Sequence, residues 1–120
     1  MPGDITNFRL STKANEVAEE LKETGRFEDV LDVVKFGLSY TLKNHFDEIS
    51  PGEYQMPDQN GSNYSVGSLD NDGQFRTLLL SLYPGTDTPY IYARALITFG
   101  LLKIGDRLHN EGFKSINALM

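Results

Sequence analysis

The sequence contains no cysteine and no tryptophan, and only two histidines, His45 and His109. Without thiols it can form no disulfide, no thiolate metal site and no cysteine nucleophile. That composition fits a reducing compartment, and a cytoplasmic location is expected. Long apolar runs are missing as well. Arg94, Lys103 and several glycines interrupt the greasiest stretches, so nothing approaches the roughly 20 apolar residues of a membrane-spanning helix. The start lacks a charged stretch followed by an apolar one, so no signal peptide is expected. There is no glycine-rich phosphate loop, no H-E-x-x-H and no G-x-S-x-G. Both histidines fall near the ends of helical patterns, where compensation of a helix dipole is the ordinary role. A lone enzyme is therefore not expected, and neither a metal nor a cofactor is.

Positive charge is scarce. Eleven Lys and Arg face seventeen Asp and Glu, for a net charge of −6. Residues 1–60 hold twelve acids and six bases, and residues 61–120 hold five of each. The excess acid lies in the first half, at Glu16, Glu19, Glu20, Glu23, Glu28, Asp29 and Asp32. Such a balance argues against a general nucleic-acid binder, which usually carries a net basic footprint. An acidic face in one region is compatible with a basic face elsewhere, or with a basic protein partner.

What is present is helical patterning in a chain of 120 residues, enough for one domain with a real core. In the run Ile5 to Ser11, Phe8 and Leu10 alternate with Asn7 and Arg9, which predicts a short extended segment with one apolar face. Ser11 stands at a helix N-cap position. A first helix is predicted from Thr12 to Thr24, with Ala14, Val17, Ala18 and Leu21 as its apolar stripe and Gly25 as its terminator. A second runs from Glu28 to Phe46. Its apolar residues Val30, Leu31, Val33, Val34, Phe36, Leu38, Tyr40, Leu42 and Phe46 cover more than one face, which implies burial in a bundle or in a subunit interface. A homo-oligomer is expected on that ground.

From 47 to 71 the pattern lapses into turn signals: Ser50-Pro51-Gly52, Met56-Pro57-Asp58, Asn60-Gly61 and Gly67-Ser68. A small hairpin about Asn60-Gly61, with Tyr64 to Val66 as a strand, is a weakly patterned alternative to a long loop. A third helix is predicted from Asp72 to Tyr83 with Phe75, Leu78, Leu79 and Leu82 as its core stripe. The fourth begins with Thr88 as N-cap and Pro89 at the first helical position. It continues to about Asn110, with Ala93, Ile97, Leu101, Ile104 and Leu108 inward, and Gly100 and Gly105 suited to close helix–helix approach. Phe113, Ile116 and Leu119 are expected to form a short C-terminal turn. The fold class is mainly α: a four-helix single domain over 1–120, with a strand-helix-helix start at 1–46, a long loop at 47–71 and C-terminal helices at 72–120.

Two motifs suggest chemistry. Ser68, Asp70, Asp72 and Gly73 fit the opening of a calcium loop, but the twelfth position is Leu79 where a bidentate acid is required. Turn plus helix cap is the better account. The basic residues Arg9 and Lys13 flank the start of the first helix, whose N–H groups could hold a phosphate. Lys103 and Arg107 lie four apart on one face of the fourth helix. Copied around an oligomer, such residues would form a phosphate-binding track.

A polar-faced strand followed by two helices is the layout of ribbon-helix-helix domains, in which two chains pair their strands and lay the ribbon in the major groove. An extended tail packed on a helical bundle is the plainer reading of the same stretch. The order Phe8-Arg9-Leu10-Ser11-x-Lys13-Ala14, Thr24-Gly25, apolar second helix, Pro51…Tyr54…Pro57-Asp58…Gly61-x-Asn63-Tyr64-Ser65 and leucine-rich third helix resembles the DndE family. Members are small subunits of the DNA phosphorothioation machinery, which replaces a non-bridging phosphate oxygen by sulfur. The resemblance implies a small helical oligomer that binds duplex or nicked duplex DNA beside other subunits of a modification complex. It would not perform the sulfur chemistry itself. Asn7, Arg9, Lys13, Lys103 and Arg107 are the candidate DNA-contacting residues. The alternative is a dimeric ribbon-helix-helix transcriptional regulator or antitoxin, with Asn7 and Arg9 reading base edges.

Overall fold

Leu10, Ser11 and Ala14 are all fully buried, so the strand-to-helix junction is part of the core. A computed structural model describes residues 4–111. Strand β1 covers Asn7–Arg9 and helix α1 covers Thr12–Glu23. Ser11 caps α1 by accepting the Ala14 N–H at 3.2 Å, an interaction worth about 1 kcal/mol. At the other end Gly25 takes φ 80°, and its N–H donates to the Lys22 carbonyl. The four apolar residues expected on this helix, Ala14, Val17, Ala18 and Leu21, are its buried ones.

Helix α2 spans Val30–Asn44, two residues shorter at each end than the sequence pattern, and begins on an Asp29 cap. A 3-10 turn at Phe46–Glu48 follows it. Its breadth is answered inside the chain. Val33, Val34, Leu38 and Tyr40 are buried, and the largest helix–helix interface of the described residues lies between α2 and α5 (Pro89–Glu111). Val30, Leu31, Phe36 and Leu42 pack against this core while staying partly exposed.

The long loop resolves into further structure. Strand β2, Asn63–Ser65, pairs antiparallel with β1 in the register Asn7↔Ser65, Phe8↔Tyr64, Arg9↔Asn63. It is followed directly by a one-turn helix, α3, at Val66–Leu69. The partner of this strand is β1, not the residues before Asn60-Gly61, so the local hairpin does not form. The physical reason is the apolar pair on the inner face: Phe8 and Tyr64 are both buried and stack at 5.5 Å.

Helix α4, Gln74–Leu82, departs from the expected core stripe. Only Leu79 is buried, while Leu78 and Leu82 remain 41% and 37% exposed. This nine-residue helix packs mainly on α5, so only the line of side chains facing that neighbour is covered. The Asp70 carboxylate accepts the Phe75 and Arg76 N–H groups, both at 2.9 Å, and the Tyr90 hydroxyl at 2.9 Å. Gly73 takes φ 74° between them. Asp70-Asn71-Asp72-Gly73 is thus a turn and helix cap, with both Asp70 oxygens engaged.

In α5 the residues Ala93, Ile97, Leu101, Ile104 and Leu108 are all buried, as their spacing requires. A Cβ at Gly100 would lie 2.2 Å from Thr41 Oγ1 and 2.4 Å from the Gly37 carbonyl oxygen, so the backbones of α2 and α5 meet there. At Gly105 it would lie 2.6 Å from Val17 Cγ2, which seats α1 on the same helix. The expected turn at Phe113, Ile116 and Leu119 lies outside the described residues. The described residues form a compact, mainly helical single domain carrying one small two-stranded sheet.

Candidate nucleic-acid interface

The β1–β2 ribbon has two unlike faces. Alternation puts Phe8 and Tyr64 inward and leaves Asn7, Arg9, Asn63 and Ser65 exposed. The register sets Asn7 opposite Ser65 and Arg9 opposite Asn63, so four hydrogen-bonding side chains share one outward surface. A two-stranded ribbon of this kind is narrow enough to enter a DNA major groove. Arg9 spends one guanidinium N–H on the Gly61 carbonyl at 2.8 Å, which fixes the side chain across the ribbon end. The remainder of its donor fork stays on the exposed side chain.

Lys13 follows on the first turn of α1. Its ammonium lies 4.0 Å from Glu16, with both side chains more than half exposed. A pair so exposed and so long contributes little and leaves Lys13 free to exchange Glu16 for a phosphate.

The α1 N-terminus does not offer the phosphate site expected of it. Asp58 reaches across from the loop that leads into β2 and accepts the Thr12 N–H at 2.8 Å, the Thr12 hydroxyl at 3.0 Å and the Asn60 N–H at 3.0 Å. An internal carboxylate already occupies the position that a phosphate would take. The Asn60 and Thr12 N–H groups hold the Asp58 carboxyl below its ordinary range. Asn15 completes the strap, accepting the Ser62 N–H at 3.2 Å and the Tyr64 hydroxyl at 2.9 Å. Burial pushes the Tyr64 phenol up, and the Glu19 charge adds to it. A Cβ at Gly61 would lie 2.8 Å from the Leu10 carbonyl oxygen, so the loop needs glycine to pass so close.

Lys103 and Arg107 lie elsewhere. Each is two positions from Gly105, so at about 100° per residue they project to the side of α5 opposite the α1 contact. They line a recess of about 320 Å³ with Tyr40, His45, Asp106 and Asn110. The Lys103 ammonium stands 5.3 Å from the Phe99 ring centroid, and His45 contacts Glu48. Asn7 and Arg9 therefore share the ribbon face, Lys13 projects from the side of α1 away from the Asn15 contact with β2, and Lys103 and Arg107 line a separate recess beside α5. His109 is paired with Glu20 at 3.6 Å, which ties α5 to α1.

Asn63 and Ser65 were the residues missed by sequence reasoning, because they fell inside the predicted loop. The signal was the four-residue alternation Asn63-Tyr64-Ser65-Val66, too short to outweigh the surrounding turn residues. Compared with family models, curated proteins and solved structures, the chain matches none.

Proposed function

We propose that this protein is a non-enzymatic DNA-binding or scaffolding subunit of a DNA sulfur-modification (phosphorothioation) complex. The observation that carries this reading is the outward ribbon surface of Asn7, Arg9, Asn63 and Ser65. Polar and cationic side chains on a two-stranded ribbon are suited to phosphates and groove edges. The order of motifs supports the DndE-like assignment. The charge of −6 limits the affinity one subunit can contribute, so other subunits of the complex supply much of the binding. Lys103 and Arg107 join the same track only across copies of the chain, which makes the homo-oligomer part of this proposal.

A ribbon completed inside one chain supports this reading over a dimeric ribbon-helix-helix regulator, whose ribbon takes one strand from each of two copies. Labelled duplex, nicked duplex and single-stranded DNA are titrated at two salt concentrations. Binding at low salt that weakens steeply at physiological salt is expected. Absence of binding to all three forms at low salt would remove the DNA role and leave a protein-interaction module. Strong preference for one palindromic operator would transfer the assignment to the regulator.

A further inference from the structure

A second recess, away from the ribbon, has the opposite electrostatic character. Phe46, Asp47, Ile49, Ser50, Pro51, Gly52, Glu53, Tyr83 and Tyr92 line an open space of about 430 Å³. Three of these are aromatic. Phe46 and Tyr83 lie 5.7 Å apart at 32°, and Tyr83 and Tyr92 lie 5.2 Å apart at 74°. The last two rings therefore stand as adjoining walls at a steep angle. Phe46 is 37% exposed, a large apolar ring left partly open to solvent. Two exposed carboxylates, Asp47 and Glu53, stand at the rim, and among the described residues none that lines it is basic.

Aromatic faces carry negative quadrupole density, and carboxylates add full charge of the same sign. Burial raises the Tyr83 phenol above its ordinary value, with Tyr92 adding to it, so the Tyr83 wall stays a neutral π-face at physiological pH. A site built this way attracts an organic cation and repels phosphate. It cannot be part of the DNA surface. Gly52 is what brings the rim down onto the wall, since a Cβ there would lie 2.7 Å from the Tyr92 hydroxyl.

We propose that this aromatic–acidic recess receives a basic side chain, lysine or arginine, projecting from a protein partner. The recess is open and shallow rather than enclosed, which suits a side chain presented on another surface better than a free metabolite held on all sides. A guanidinium or ammonium seated against Tyr83 and Tyr92, with Asp47 and Glu53 as counter-charges, uses every feature of the site. The proposal does not depend on the DNA reading, and its test contains no DNA.

The test titrates the full chain with N-acetyl-argininamide, N-acetyl-lysinamide, the neutral isostere N-acetyl-norleucinamide and tetramethylammonium, followed by NMR of the tyrosine and Phe46 ring resonances. Saturable shifts confined to Phe46, Tyr83 and Tyr92 are expected with the two basic amides and not with norleucinamide. Glu53→Gln, an exposed change that leaves the core alone, is expected to weaken that binding about threefold to tenfold. Phe46→Leu is expected to abolish it with the circular dichroism spectrum retained. Equal binding of norleucinamide, no shifts at millimolar amide, or unchanged affinity in Glu53→Gln would overturn the proposal. Tight binding of tetramethylammonium with none of the amides would replace the partner side chain by a free quaternary amine, and would overturn it too.

Discussion

Asp4 caps a helix that begins more than eighty residues later: its carboxylate accepts the backbone N–H of Tyr90 at 2.6 Å and of Ile91 at 3.2 Å. Pro89 opens α5 without an N–H to satisfy, and Asp4 supplies the acceptor that the next two donors need. Placing an anion at this N-terminus also complements the dipole of the longest helix. Asp4→Ala is expected to cost about 1 kcal/mol, read as a lower denaturation midpoint with an unchanged slope. Asp4→Asn should recover part of it, since the amide oxygen still accepts. No loss in Asp4→Ala would show that the cap contributes nothing.

The two glycines of α5 differ in what they touch, and this ranks their substitutions. Gly100→Ala drives a methyl into the Gly37 carbonyl and the Thr41 hydroxyl, which itself donates to the Leu96 carbonyl at 2.7 Å. Backbone cannot swing aside, so a loss of about 3 kcal/mol or more is expected. Gly105→Ala meets only the end of the Val17 side chain, and gains helix propensity of about 1 kcal/mol. Urea unfolding of both variants is expected to place Gly100→Ala far below Gly105→Ala. The reverse order would mean that α2 and α5 do not approach there.

Asp58 makes stability depend on acid pH with a definite sign. Its folded-state value lies below the ordinary 3.8, because the Asn60 and Thr12 N–H groups favour the carboxylate. The contribution is complete above 3.8 and disappears as pH falls through the lowered folded value. Thermal melts from neutral to acid pH are expected to show a smaller loss for Asp58→Asn than for the parent protein over that window. Parallel curves would mean that the strap over α1 does not select the ionised form.

On the proposed DNA surface, Arg9→Ala and Asn63→Ala are expected to act together, since the two residues face each other across the ribbon. Arg9→Ala should weaken binding several-fold and lower the salt slope by about one phosphate contact. Asn63→Ala should weaken it with the slope unchanged, because the amide carries no charge. A Lys103→Ala effect as large as that of Arg9→Ala would show that the recess at α5, not the ribbon, leads the contact.

Helix identity was legible from local pattern. The apolar stripes of α1 and α5, the Ser11 cap, the Gly25 stop and Pro89 as the first residue of α5 depend on spacing and residue type within one or two turns, whereas the cap expected of Thr88 is supplied by Asp4. The polar–apolar alternation of residues 7–10 likewise announced which side chains of β1 would be exposed. The role of Gly100 and Gly105 in close packing followed from glycines placed inside an otherwise strong helix.

What the local pattern could not contain was the identity of distant partners. Nothing near Asp4 in sequence announces Tyr90, nothing near Thr12 announces Asp58, and the alternation at 63–65 gains meaning only opposite Phe8. The breadth of α2 was equally ambiguous, because apolar surface specifies burial without naming what covers it. Composition and periodicity determined that this chain forms amphipathic helices around one core. Tertiary structure alone decided which carboxylates close the helix ends, which strand completes the ribbon, and that Lys103 and Arg107 line a recess apart from that ribbon. Hydrogen bonds and ring stacking are short-range, so they record the final neighbours rather than the order of the chain.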